Sequence, residues 1–267
     1  MCGRPHNRFQ ITPLVVGGTS VRKGAWPWLA AVFYNRISGL SFICGGTLVS
    51  PKIVVSAAHC FKTSDETVRT NEIIIYLGRY NILRWMEEGS QPAEVEQIIV
   101  HSEYMKNETS YDADVALIIL KKRVQYSEYI RPICLWNGPN DINEIIGSTG
   151  TVVGWGRDGS GNMVSAEPQK ISLPVVAEAT CLRASDTFRY ITSERTFCAG
   201  AKNGRGPCNG DSGSGMTMLR NNRWVLRGIV SASLADPVLN SCNLAEYVVF
   251  TDMAKFDHWI RSYVALN

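Results

Sequence analysis

Residues 54–60 have the sequence VVSAAHC, and this stretch indicates the fold more clearly than any other. β-Branched residues predict a buried strand here, which ends in two alanines, His59 and Cys60. Outward from this stretch, similar short segments rich in Val, Ile, Thr and aromatic residues occur at residues 42–49, 53–56, 72–77, 94–100, 115–120, 150–154, 224–230 and 247–250. Many strands at short spacing predict an all-β barrel or sandwich.

The last segment has a different period. Met253, Phe256, Trp259, Ile260 and Val264 fall on one helical face, which predicts an amphipathic closing helix over about residues 252–265. Residues 1–14 lack periodicity and are typical of a linker, and residues 157–162 are typical of an exposed loop.

Composition narrows the class of protein. The 267 residues are 45% hydrophobic and 19% charged, as in a globular domain, and the net charge of +3 gives no reason to expect nucleic acid as a partner. No run of about 18 apolar residues predicts a membrane span. The eight cysteines favour an oxidising compartment, although the first residues lack a signal peptide. We therefore expect a downstream domain of a longer secreted precursor.

Two further segments combine with His59. Residues 112–117 (DADVAL) place Asp114 before an apolar strand, and residues 208–213 (CNGDSG) expose Ser212 on a tight turn. Taken singly, the three are explained as a satisfied polar histidine, a capping aspartate and an ordinary turn. Together they predict catalysis, because a serine nucleophile needs a base and the base needs an orienting carboxylate. The N–H groups of Gly210 and Ser212 are the predicted oxyanion hole.

From Val15 to Asn267, the sequence resembles the chymotrypsin/trypsin family, in which the catalytic residues follow one another along the chain in the order His, Asp, Ser. The other segments that carry the resemblance are residues 15–18 (VVGG), 27–28 (PW), 44–48 (CGGTL), 154–156 (GWG) and 197–200 (FCAG). The resemblance implies two perpendicular six-stranded antiparallel β-barrels with a C-terminal α-helix and the triad between them. It also implies the disulfides Cys44–Cys60, Cys181–Cys198, Cys208–Cys242 and Cys2–Cys134.

The resemblance also implies a switch. In the family, a cut before the segment that matches Val15 frees an amino terminus, which pairs with the aspartate that matches Asp211. Residues 1–14 are then a leader, tethered by Cys2, and residues 15–267 the catalytic domain. The bond to be cut is Leu14–Val15, where most relatives have Arg or Lys, so a trypsin-like activator is not expected.

The specificity pocket departs from trypsin in parallel. Gly206 stands where trypsin-like enzymes hold an aspartate, so nothing offsets the desolvation of a cationic side chain. Ser231 matches the family serine that supports the triad aspartate and lines the pocket, and Ser233 and Val248 are the predicted walls. An apolar, leucine-like preference follows, and it matches the chain's own activation bond, which suggests that the domain processes itself in trans or is cut by a close relative.

Further departures complete the reading. Arg79 stands where calcium-binding relatives have a glutamate, so calcium is not expected at this loop. No other metal and no cofactor is expected. Together with the cysteine-bearing leader, the departures resemble insect gastrulation-defective-type proteases. The expected protein is a secreted glycoprotein, with Asn107 as acceptor, that cuts a protein substrate, such as another zymogen of an extracellular cascade, and meets a serpin-type inhibitor. The alternatives are a protease-shaped binding protein without catalysis, or a zymogen that a partner activates without cleavage.

Overall fold

Short antiparallel strands dominate the computed structural model, which describes residues 2–5, 19–37, 39–64, 66–84, 86–105, 110–157, 164–236 and 241–267. The strands of these residues are β1 Thr19–Ser20, β2 Leu29–Arg36, β3 Gly39–Ser50, β4 Ile53–Ser56, β5 Ile73–Leu77, β6 Gln91–Val100, β7 Ala116–Leu120, β8 Cys134–Leu135, β9 Thr149–Gly154, β10 Gln169–Val176, β11 Thr196–Ala199, β12 Gly215–Arg220, β13 Arg223–Ser233, β14 Ala235–Asp236, β15 Ser241–Cys242 and β16 Val248–Asp252. The α-helices are α1 Glu178–Ala184, α2 Phe188–Ile191 and α3 Asp257–Leu266.

Two closed six-stranded antiparallel barrels organise these strands. The first barrel runs β2-β3-β4-β7-β6-β5, and β5 pairs back with β2. The second runs β9-β10-β11-β16-β13-β12, and it closes where Met216 of β12 pairs with Val152 of β9. β1 extends the second barrel beside β10, and β8 lies parallel to β13. The predicted chymotrypsin-like fold class is confirmed.

Alternation along the strands builds an apolar core inside each barrel. In β5, Ile73, Ile75 and Leu77 are buried, while the residues between them are half-buried. In the second barrel, Leu173 and Phe250 are among the fully enclosed side chains. Each such side chain contributes about 1.5–3 kcal/mol through its burial. The barrels are therefore firm supports for residues at their junction.

Four strands of the two barrels were not among the predicted segments: β2, β10, β11 and β12. Their sequences explain this, because β2 begins with Leu29 and two alanines, which are weak strand formers, and β10 contains Gln169, Lys170 and Pro174. Closure of the barrels, with its hydrogen bonds to neighbours on both sides, determines these strands more than local propensity does.

The closing helix begins later than its sequence predicts. The predicted start at residue 252 is wrong, because Asp252 is the last residue of β16 and α3 begins at Asp257. The Asp252 carboxylate accepts a hydrogen bond from Ala254 N at 2.9 Å and pairs with buried Arg227. These contacts stabilise a turn between strand and helix. No helix in the described part of the chain is long and apolar enough to cross a membrane.

Candidate active site

His59 lies in a 3₁₀ turn, Ala58–Cys60, that follows β4 of the first barrel. The Cys44–Cys60 disulfide ties this turn to β3. Its backbone N–H donates to Asp114 Oδ1 at 2.9 Å, and its Nδ1 lies 2.7 Å from Asp114 Oδ2. The imidazole side chain is 24% exposed, so one edge stays accessible while the other is held by the carboxylate.

Asp114 is fully buried and receives hydrogen bonds from both barrels. Besides His59, Ser231 of β13 donates its hydroxyl to Asp114 Oδ2 at 2.6 Å. Thr251 of β16 donates its hydroxyl to the Asp114 backbone carbonyl at 2.9 Å. Several donors on one buried carboxylate fix its orientation. The sequence analysis identified Ser231, but nothing in the sequence pattern indicated Thr251.

The electrostatics of this pair suit a general base. Burial alone lowers the pKa of His59, but the charge of Asp114 and the hydrogen bond to it act in the opposite direction, and the net pKa is raised. An imidazole with a raised pKa accepts a proton more readily. The Asp114 contact on Nδ1 also leaves Nε2 as the atom that exchanges protons with a substrate or nucleophile.

Ser212 lies on the turn between β11 and β12 of the second barrel, against the segment that carries His59. Its carbonyl accepts a hydrogen bond from Gly45 N of β3 at 2.8 Å. The next residue, Gly213, has a φ of +78°, and a Cβ there would lie 2.2 Å from the Ser56 hydroxyl. Only glycine fits this conformation and this contact. The turn is thereby pressed against the residues that precede His59, at the junction of the two barrels.

Gly210 and Asp211 shape the same turn. Gly210 has a φ of +91°, and Asp211 N bonds the Cys208 carbonyl at 2.8 Å. The buried Asp211 carboxylate accepts hydrogen bonds from Gly156 N at 2.9 Å and from Cys208 N at 3.1 Å. Burial raises its pKa to about 6, although both hydrogen bonds act to lower it. Within residues 2–5 and the other described ranges, Asp211 forms no ion pair.

The predicted specificity pocket has an apolar lining that includes a residue the sequence analysis missed. A Cβ at Gly206 would lie 3.4 Å from Leu244 Cδ2 and 3.7 Å from Val248 Cγ2. Val248 is buried and pairs across the sheet with Ser233. Leu244 lies 38 positions after Gly206 in the sequence, so only the tertiary structure brings the two together.

Four disulfides join the eight cysteines in the pairs that the family resemblance implies: Cys2–Cys134, Cys44–Cys60, Cys181–Cys198 and Cys208–Cys242. Cys208–Cys242 lies beside the predicted pocket, and Cys2–Cys134 ties Cys2 to β8. The activation bond Leu14–Val15 and the acceptor Asn107 lie outside the described residues.

The site residues do not form a metal centre. Cys44, His59 and Cys60 are close enough to share an ion, but both sulfurs are in a disulfide and His59 Nδ1 is bonded to Asp114. In the loop after β5, the buried Arg79 guanidinium donates to the Arg84 carbonyl and lies 4.6 Å from the Tyr76 ring centroid. A fixed cation at this place disfavours calcium.

The two barrels and the His59–Asp114 pair beside the Ser212 turn define a protease domain of the serine endopeptidase class. The model of the Trypsin family matches residues 15–260, and the chain belongs to that family.

Comparison with curated proteins gives the same class. The chain is 39% identical over 275 residues to Serine protease gd of Drosophila melanogaster, which covers 92% of this chain and 52% of that protein. It is 30% identical over 267 residues to the CLIP domain-containing serine protease HP8 of Bombyx mori, a match that covers 95% of this chain and 70% of that protein. It is 29% identical over 269 residues to Ovochymase-2 of Mus musculus, covering 98% and 42%. The chain thus spans about half the length of the first and last of these relatives.

Proposed function

We propose that this chain is the catalytic domain of a secreted serine endopeptidase in which His59, Asp114 and Ser212 hydrolyse peptide bonds of a protein substrate. The observation that carries the proposal is the carboxylate of Asp114, buried between His59 Nδ1 at 2.7 Å and the Ser231 hydroxyl at 2.6 Å. Burying a carboxylate in this way costs free energy. In return, the buried carboxylate holds the partly exposed imidazole in one orientation.

The chemistry follows from these groups. Ser212 Oγ attacks the scissile carbonyl carbon while His59 Nε2 takes the hydroxyl proton. The carbonyl oxygen becomes an oxyanion, which the N–H groups of Gly210 and Ser212 stabilise. The carbon–nitrogen bond then breaks, and the amine leaves with the proton from His59. Water repeats the sequence on the acyl-enzyme and releases the acid and free Ser212.

We expect an apolar, leucine-like residue on the amino side of the cleaved bond. Gly206 offers no charge, and a Cβ added at this position would meet Leu244 and Val248 at van der Waals distance. An arginine or lysine there would lose its hydration without a compensating anion. The narrow lining also disfavours tryptophan.

The substrate class follows from the chain's own sequence. The Leu14–Val15 bond carries the residue type that this pocket fits, so a zymogen with a similar activation bond is the proposed substrate, and a serpin-type inhibitor the proposed regulator. By the same reasoning, one molecule processes another at Leu14, and the new Val15 terminus pairs with Asp211. The similarity to Serine protease gd and to HP8 supports the role of a serine protease.

Labelling with a small fluorophosphonate tests the proposal directly. The single chain and the chain cut at Leu14 are compared with Ser212→Ala and with a control, Ser262→Ala, whose hydroxyl lies on exposed α3. Labelling that requires the cut and Ser212 but not Ser262 supports the proposed enzyme and switch. Labelling without the cut supports activation by a partner, and no labelling in any form supports the binding-protein alternative.

Self-processing has a separate test. Ser212→Ala single chain, which is unable to cut itself, is offered to the activated wild-type protein. Cleavage between Leu14 and Val15 supports processing in trans. An intact bond after complete turnover of a leucine peptide would rule this out.

A further inference from the structure

A dense group of charged side chains lies beside the candidate triad and takes no part in the proposed chemistry. Arg195, just before β11, contacts both oxygens of Asp112: Nε lies 3.0 Å from Oδ1, and Nη2 bonds Oδ2. Its Nη1 bonds Glu103. The Ser193 hydroxyl adds a hydrogen bond to Asp112 Oδ1 at 2.7 Å. Asp112 is only two residues from Asp114.

Between them lies a strained residue. Ala113 is fully buried and has a φ of +54°, in the left-handed region that non-glycine residues seldom occupy. Such a conformation costs about 1–2 kcal/mol for a residue with a Cβ. The Ala113 carbonyl accepts from Val115 N at 2.7 Å, which completes a tight bend around Asp114. A strained residue persists where its surroundings hold it on both sides.

The second barrel supplies the hold. The last two residues of β16 contact both Arg195 and the bend: Asp252 N donates to the Arg195 carbonyl at 2.9 Å, and the Thr251 hydroxyl donates to the Asp114 carbonyl at 2.9 Å. Arg195 is therefore fixed to the second barrel through its backbone and to the Asp112 segment through its side chain. A bidentate arginine–carboxylate pair fixes orientation as well as distance.

The charges are arranged for positioning more than for stability. The side chains of Arg195 and Asp112 are 27% and 29% exposed, and ion pairs of this kind contribute little to the free energy of unfolding. Burial acts to raise the pKa of Asp112, but the hydrogen bonds from Arg195 and Ser193 together lower it by more. The net pKa of Asp112 is therefore lowered. The pair is ionised at neutral pH.

We infer that Arg195 and Asp112 are positioning residues: their ion pair holds Ala113 in the left-handed conformation and thereby aims the Asp114 carboxylate at His59. The inference rests on the proposed function, because positioning matters only if the triad operates. The bend transmits the hold, and neither residue contacts the reacting atoms. Loss of the pair lets Ala113 relax to an ordinary φ and turns the Asp114 carboxylate away from Nδ1.

The test uses the activated chain and a small leucine ester that occupies only the primary pocket. Arg195→Gln is expected to lower kcat about tenfold or more with less than a twofold change in KM, and to leave the unfolding midpoint nearly unchanged. Arg195→Lys should be intermediate, since an ammonium does not hold both oxygens at once. The matched control is Arg189→Gln, which removes an exposed pair between α2 and Asp186.

A second substitution distinguishes positioning from a general structural role. Ala113→Gly in the Arg195→Gln background should recover at least threefold in kcat, because glycine adopts the left-handed conformation without strain. A general packing defect would not be rescued by removing a buried methyl group. Equal kcat in wild type and Arg195→Gln, or no recovery on adding Ala113→Gly, would overturn the inference.

One readout does not require turnover. In the inert Ser212→Ala protein, the His59 Nδ1 proton, bonded to Asp114, gives a low-field proton resonance whose titration reports the pKa of His59. Adding Arg195→Gln should broaden this resonance and lower the titration midpoint. An unchanged resonance would contradict the positioning role, whereas a wild-type chain that turns over no substrate would contradict only the proposed function.

Discussion

At the residue scale, Leu244 gives the sharpest test of specificity. Its Cδ2 would contact a Cβ at Gly206 at 3.4 Å, so Leu244→Ala enlarges the pocket where the substrate side chain ends. We expect the ratio of kcat/KM for a phenylalanine substrate over a leucine substrate to rise about tenfold or more, as one or a few methylene groups in a pocket allow. The control is Leu219→Ala, an exposed leucine on β12. A ratio that moves equally in both variants would place Leu244 outside the pocket.

His59 gives a second prediction at this scale, on pH. Only the neutral imidazole accepts the Ser212 proton, so kcat/KM should rise with pH through the pKa of His59. Because Asp114 more than offsets the effect of burial, the midpoint should lie above the ordinary value of 6.5. Asp114→Asn should lower kcat about 10⁴-fold by favouring the wrong tautomer. Initial rates across pH check both, and a rate independent of pH in this range would exclude His59 as the base.

At the scale of elements, the end of β16 connects fold and site. Asp252 forms a buried ion pair with Arg227 of β13, whose guanidinium also lies 4.8 Å from the Trp136 ring centroid. Burial lowers the pKa of Arg227 to about 10. The same strand bonds the carbonyls of Asp114 and Arg195, so the pair supports the segment that orients the candidate triad.

This pair predicts an asymmetric response to substitution. Asp252→Asn leaves a buried arginine without its counter-charge and should lower the free energy of unfolding by about 3–5 kcal/mol. Arg227→Met together with Asp252→Asn should be less harmful than Asp252→Asn alone, because no charge is then buried unpaired. Urea unfolding of the three proteins measures this. A double variant less stable than Asp252→Asn alone would contradict this, because Arg227 would then stabilise the fold through contacts other than its pair with Asp252.

At the scale of the whole molecule, Asp211 gives a test of the proposed switch. In the uncut chain, burial raises its pKa from an ordinary 3.8 to about 6, so the folded state favours the protonated form. This contribution to stability is present below about pH 4 and is lost as the pH rises through about 6. Asp211→Asn should therefore gain about 2–3 kcal/mol on wild type between pH 4 and pH 7, the equivalent of a shift of about two pKa units.

In the cut chain, the effect of Asp211→Asn on the free energy of unfolding should have the opposite sign. If the Val15 terminus then pairs with Asp211, the substitution removes a buried counter-charge and becomes destabilising at pH 7. Unfolding free energies of cut and uncut chains, with and without Asp211→Asn, provide the comparison. The same sign in both chains at pH 7 would show that the cut does not bring a cation to Asp211.

The sequence alone determined the fold class and identified the residues of the candidate triad. Short segments of β-branched residues predict an all-β barrel or sandwich, and the family resemblance implies the two barrels. The stretch around His59 is specific in combination with Asp114 and Ser212. The strands β2 and β10 escaped local prediction because barrel closure outweighs their weak propensities. The late start of α3 escaped it because Asp252 interacts with Arg227, a partner 25 positions back along the chain.

Only the tertiary structure decided what surrounds those residues. Leu244 opposite Gly206, Thr251 on the Asp114 carbonyl and Arg195 on Asp112 are contacts between segments far apart in sequence. No periodicity or motif encodes such contacts: the Thr251 and Arg195 contacts arise where the two barrels meet, and Gly206 and Leu244 lie in two separate loops of the second barrel. Composition and pattern specify which side chains are buried within a barrel. The packing of one barrel against the other specifies which polar groups face each other, and the aim of Asp114 depends on that packing.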